Sequence, residues 1–193
     1  MPALPETARI ETPAIHGNAG QARPPAALPL ADGKASAAPS LAEQADAFYA
    51  QGKYGEAAQL YRQLAEQGDA KSQTRLGTMT LQGQGMDKNL DQGVAWYAKA
   101  ASQGDAEAQN TLGQLFVLTK DYRQALLWYR KAAAQGFADA QYHLGVMCEK
   151  GQGLAADRAQ AVSWYRKAAA TGHERAKKHL IRLGISRNEP PRE

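Results

Sequence analysis

The residues Trp128-Tyr129-Arg130-Lys131-Ala132-Ala133-Ala134-Gln135-Gly136 recur along the chain with small changes. Residues 96–104 and 164–172 are two further copies, and residues 60–68 are a degenerate fourth. Their tyrosines, Tyr61, Tyr97, Tyr129 and Tyr165, stand 36, 32 and 36 residues apart. A unit of that length is too small to bury its own apolar face. Successive units must therefore stack, and a fixed period in the thirties dictates a solenoid held by contacts between neighbours.

Within each unit the apolar residues fall at helical period. Ala108, Leu112, Leu115 and Phe116 lie at i, i+4, i+7 and i+8, and Ala140, Leu144, Met147 and Cys148 repeat the stripe. Ala125, Trp128, Tyr129, Ala132 and Ala133 form the facing stripe of a second helix. Residues at this spacing belong to a core rather than to a cofactor box. Asn89, Asp121 and Asp157 each stand three residues before Gln92, Gln124 and Gln160, a capping-box spacing that starts the second helix. Gly68, Gly104, Gly136 and Gly172 end it. Asp69 and Asp105 cap the next helix, whereas Phe137 and His173 at the same place predict looser entrances. Gly77, Gly113 and Gly145 sit inside the first helices, where glycine costs about 0.5–1 kcal/mol, so close helix approach is the expected compensation. The connection between the two helices is long at residues 83–88 and 151–156, but only Thr119-Lys120 in the third unit.

Units reading Ala-x-Ala-Gln-x-x-Leu-Gly, then Gly-x-Gly, then Ala-x-x-Trp-Tyr-x-Lys-Ala-Ala-x-x-Gly resemble the Sel-one-like repeat family, a branch of the tetratricopeptide repeat superfamily. Residues 69–104 and 137–172 are similar to its 36-residue form. Residues 40–68 and 105–136 are shortened, and 173–183 read as a capping helix. The first unit departs most, with Gln44 where leucine is expected and Ala45 in place of glycine. The resemblance implies an all-α fold: a right-handed α-solenoid superhelix of antiparallel helix pairs, about four repeats plus the C-terminal capping helix. It also implies a non-catalytic scaffold or adaptor that binds a peptide or partner protein in bacterial signalling, secretion or envelope assembly.

Residues 1–39 hold seven of the nine prolines and no Phe, Tyr or Trp. Such a segment buries too little apolar surface to offset its ordering entropy, and its Ala-Pro texture predicts a disordered, extended linker. Residues 184–193 read as a flexible tail. Prolines interrupt every stretch that could serve as the apolar core of a signal peptide, so the sequence as given predicts a cytoplasmic protein. A processed or trimmed form would instead be periplasmic or secreted.

The sequence assembles no reaction site. Gly83-Gln84-Gly85 and Gly151-Gln152-Gly153 lack the third glycine and lysine of a phosphate loop. His173 and His179 are six apart, whereas ligands on one helix face need three or four. Cys148 is the only cysteine. The reading is therefore no enzyme, no cofactor and no metal. A protein or peptide partner is expected in the groove of first helices. By resemblance to tetratricopeptide proteins the exposed positions there are Lys71, Thr74 and Thr78, then Glu107, Asn110 and Gln114, then Asp139, Tyr142 and Val146. No transmembrane segment is read, and a monomer is the default. The alternative is a nucleic-acid-binding or purely structural part acting through basic residues, of which Arg130, Lys131, Arg166, Lys167, Arg175, Lys177, Lys178, Arg182 and Arg187 are the candidates. Interspersed acidic residues and the lack of an aromatic stacking set argue against nucleic acid.

Overall fold

The computed structural model describes residues 38–185, which form nine α-helices and, among the described residues, no strand. The linker expected over residues 1–39 and the tail expected over 184–193 fall almost wholly outside the described residues. Four antiparallel pairs follow one another: α1 (Leu41–Ala50) with α2 (Tyr54–Glu66), α3 (Ala70–Gln82) with α4 (Leu90–Ser102), α5 (Ala106–Leu118) with α6 (Tyr122–Ala134), and α7 (Ala138–Lys150) with α8 (Arg158–Ala170). A single helix, α9 (Glu174–Arg182), closes the stack on α8. Each helix packs chiefly on the next in sequence, as a solenoid requires. Among the described residues no helix is long and apolar enough to cross a membrane.

The helix ends follow the sequence punctuation. Asn89, Asp121 and Asp157 accept from the backbone N–H three residues on, so the second helices do start there. Among the described residues only Ser40 and Glu43 show both bonds of a capping box. Gly68, Gly104, Gly136 and Gly172 adopt φ of 98°, 97°, 83° and 94°, the left-handed turn that ends a helix without strain. Phe137 provides no side-chain cap. His173 corrects the expectation of a loose entrance: its Nδ1 accepts from the Ala176 N–H at 3.1 Å, doing with a ring nitrogen what Asp105 does with a carboxylate.

The second, third and fourth pairs are each locked by one glycine and one tyrosine. A Cβ added to Gly113 would lie 2.5 Å from the Tyr129 ring, and one on Gly145 would lie 2.5 Å from the Tyr165 ring. At Gly77 the approach of Tyr97 is looser, at 3.2 Å. The glycine thus makes room for a buried ring, which is the compensation its helix cost demanded. Trp128 is only half-buried, contrary to its assignment to the core, because Tyr129 takes the interior place beside it. Instead Trp96, Trp128 and Trp164 pack back on the preceding unit. Their other faces are covered by Lys99, Lys131 and Lys167, one turn on, with Nζ 4.2–4.3 Å from the ring centroid.

A glutamine ladder joins one unit to the next. The side chains of Gln73, Gln109 and Gln141, early in α3, α5 and α7, are buried and donate to the carbonyls of Ala65, Ala101 and Ala133 at the end of the preceding helix. Gln103 and Gln135, at the ends of α4 and α6, donate in turn to the Gln73 and Gln109 Oε1 atoms at 2.7 and 2.9 Å. In the fourth unit Thr171 holds that place, and Gln141 Oε1 is buried without a hydrogen-bond partner.

Candidate protein-binding surface

The first helices of successive units stand side by side. Gln114 on α5 lies 3.1 Å from the His143 ring on α7, and the Tyr142 hydroxyl on α7 lies 3.2 Å from His179 on α9. Of the nine expected contact residues, Lys71, Glu107, Gln114 and Asp139 are exposed, while Thr78, Tyr142 and Val146 are half-buried. Thr74 and Asn110 are corrections: they are 1% and 5% exposed and offer no surface. Their register position faces the seam between units. Thr74 Oγ1 donates to Asp105, the N-cap of α5, at 2.9 Å, and Tyr142 at the equivalent place stacks on His173, the N-cap of α9, at 4.8 Å. Asn110 Oδ1 is buried without a hydrogen-bond partner. In its case the following entrance carries Phe137, which has no polar side-chain atom to offer.

Asp139 and Tyr142 of the expected set belong to a cluster of histidines and tyrosines on α6 to α9 whose other members the set lacks. The His143 ring stacks on Tyr129 with centroids 5.0 Å apart. Its burial lowers its pKa to about 4 despite Asp139 nearby, so it stands neutral at pH 7. His173 Nε2 is 2.8 Å from Asp139 Oδ1, which fixes the ring that caps α9. Glu149 collects Arg182 at 2.6 Å, the Tyr165 hydroxyl at 2.7 Å and His179 at 3.4 Å. Burial alone would raise the Glu149 pKa, but these partners outweigh it and hold the carboxyl below its usual range. Among the described residues no group of three His, Cys, Asp or Glu side chains is placed to hold a metal ion. One signal in the sequence points to the cluster: Tyr142-His143 stands where the sibling units carry Thr74-Arg75 and Asn110-Thr111.

The Sel1 repeat profile matches residues 49–69, 70–105, 106–137 and 138–173, in register with the four helix pairs. The chain belongs to the Sel1 repeat family. A Sel1 repeat protein from Oxalobacter formigenes is similar in structure, with 40% identity over 63% of this chain and 95% of its own and a TM-score of 0.60. So is c5321, a protective antigen present in uropathogenic Escherichia coli strains and displaying an SLR fold, at 37% identity and a TM-score of 0.61. That match covers 69% of this chain but 30% of c5321, so the present repeats correspond to a fraction of the antigen. No curated protein matches the chain in a sequence comparison. Sel1 repeats are in general scaffolds for protein interaction.

Four of the basic residues of the rival reading are already engaged on these repeats. Lys177 pairs with Glu174 at 2.6 Å and Arg182 with Glu149 at 2.6 Å. Lys131 and Lys167 sit over tryptophan rings. Arg187 lies outside the described residues. Charges already engaged release fewer counterions on meeting phosphate, which weakens the electrostatic case for nucleic acid.

Proposed function

We propose that these Sel1 repeats are a non-catalytic scaffold that holds a segment of a partner protein along the wall of first helices α3, α5 and α7. One observation supports this most directly. The repeated tyrosines and tryptophans of the second helices are spent in locking and stacking units, whereas Lys71, Glu107, Gln114 and Asp139 stay exposed on the first helices. Three adjacent units thus present one polar surface at a regular spacing, a geometry suited to an extended or helical segment.

The test begins with a partner recovered by using the repeat domain as bait and ends with titration. Lys71→Glu combined with Glu107→Lys should weaken the complex at least tenfold, because reversed charge on an interface removes complementarity and adds repulsion. Arg123→Ala with Arg130→Ala, both exposed on α6, is the matched control and should leave affinity within about twofold, as rim or uninvolved charges do. If only the α6 pair mattered and its effect vanished at high salt, the binding surface would be the outer one.

A further inference from the structure

Between α5 and α7 the wall of first helices opens into a pocket of about 340 Å³. Val117, Leu118, Val146, Met147 and the Tyr129 ring line it, and Leu118 is 78% exposed. The repeats themselves provide the control that shows which of these residues the fold requires. Counting from the glycines Gly77, Gly113 and Gly145, the next residue is Thr78, Gln114 or Val146, and the fifth is Gln82, Leu118 or Lys150. Packing is satisfied by polar side chains at both places in the sibling units. Leu118, which packs on no core cluster of the described residues, is therefore apolar for a reason other than folding, while Val146 also packs against the core around Cys148 and Tyr165, and both border the same pocket. An exposed leucine by itself needs no explanation; two apolar residues that break the repeat pattern at one cavity do.

The electrostatics say what would enter. No residue lining the pocket carries a charge at pH 7, since His143 is neutral there. Gln114 and Gln152 at its edge offer amide donors and acceptors of the kind that meet a peptide backbone. Lys120 and Lys150 lie within two residues of Leu118 and Gln152, are exposed, and have no ion-pair partner among the described residues. The carboxylate nearest in sequence to Lys150, Glu149, is held by Arg182, Tyr165 and His179.

We infer that the pocket between α5 and α7 is a specificity subsite for a partner segment that presents a leucine-sized apolar side chain flanked by acidic residues. This rests on the groove reading above and narrows it. The apolar side chain fills the uncharged pocket, the flanking carboxylates meet Lys120 and Lys150, and the backbone runs past the two glutamines. The volume suits one large side chain, or two small ones, rather than a folded surface.

The probe is a capped heptapeptide with a central leucine between glutamates in a glycine-serine background, labelled for anisotropy. Two companions replace the leucine by glycine or the glutamates by lysines. The acidic leucine peptide should bind at least tenfold more tightly than either companion. Leu118→Gln with Val146→Thr, which installs residues found at the same register in the sibling units, should reduce its affinity at least tenfold, and Leu118→Gln alone should weaken it without lowering the melting temperature, since Val146 also packs on the Tyr165 core. Equal binding of the three peptides, an unaffected double variant, or no binding of the acidic leucine peptide at millimolar concentration would overturn the subsite. The groove reading fails separately. If the peptide shifts amide resonances of Lys71, Thr78 and Glu107 and leaves Gln114 and Val146 unmoved, the groove stands and the subsite falls. If no first-helix amide moves while a recovered partner still binds, the groove falls as well.

Discussion

Gly113 and Gly145 have no Cβ because a tyrosine ring already occupies that space, at 2.5 Å from where the carbon would be. Replacing either by alanine should destabilise the chain by about 1–3 kcal/mol through overpacking, even though alanine is the better helix former. Gly77→Ala should cost clearly less, since its nearest neighbours lie at 3.2 Å, and Ala45 already holds the same register in the first unit. Urea midpoints of the three variants give the ranking, and equal midpoints would refute it. His143 supplies a second residue-scale expectation. Burial against Tyr129 holds its folded pKa at about 4, whereas the unfolded chain takes up the proton near about pH 6.5. Between those values the unfolded state binds more protons, so stability falls as pH drops through the window, by about 1–3 kcal/mol in all. Glu149, whose pKa is lowered from 4.5, adds its loss only further into acid. His143→Phe keeps a flat ring for Tyr129 and should flatten the profile from pH 6.5 to about 5, as read from urea midpoints at several pH values.

At the scale of elements, the glutamine ladder explains why the repeat carries glutamine in Ala-x-Ala-Gln: one amide donates to the preceding helix end and accepts from the glutamine that closes its own unit. The fourth unit breaks the pattern at Thr171 and leaves Gln141 Oε1 buried and unpaired. Thr171→Gln should restore the bond and raise stability by about 1 kcal/mol, visible as a higher urea midpoint, while the same change in a Gln141→Met background should gain nothing. Helices, their caps and the helix-ending glycines are legible in the sequence because each is set by spacing along one chain. The choice between Trp128 and Tyr129 for the interior is not, since adjacent residues share one broad apolar stripe and only the approach of the partner helix separates them. Thr74 and Asn110 look exposed in the sequence for a related reason. Whether a first-helix residue faces solvent or the next unit depends on the rotation between units, which no period encodes. The cap at His173 is hidden in the sequence because a ring nitrogen seldom does the work of Asp or Ser. The candidate pocket is legible only in part: Val146 is among the expected contacts, but Leu118 is not, and its meaning emerges when unit is compared with unit in three dimensions.

Among the described residues the recurring locks are glycine on tyrosine within the second to fourth units and glutamine or tryptophan between units, and none of these reaches beyond a neighbour. Damage should therefore spread one unit at a time rather than collapse the array at once. The last helix ends this series in a definite way. Ile181 of α9 stands at the register of Gly145, is 75% exposed, and would block the ring of any tyrosine-bearing helix that tried to pair with α9. On its inner side α9 lays Ala176, Leu180 and Leu183 over Tyr165 and the lone thiol of Cys148, which is 2% exposed and whose pKa burial raises. That thiol turns the closing helix into a clock. The Cys148 thiol donates to Gln160 on α8 at 3.0 Å and shares its core cluster with the inner side of α9, so iodoacetamide reaches it only when this end of the stack opens, and the alkylation rate in native buffer counts that opening. Leu180→Ala should speed that count by about tenfold or more, because the smaller side chain leaves the closed state with less apolar packing. Leu76→Ala, two units away, should leave the ticking unchanged while lowering the urea midpoint, and a Cys148 rate that rose equally in both variants would mean that the stack opens as one body.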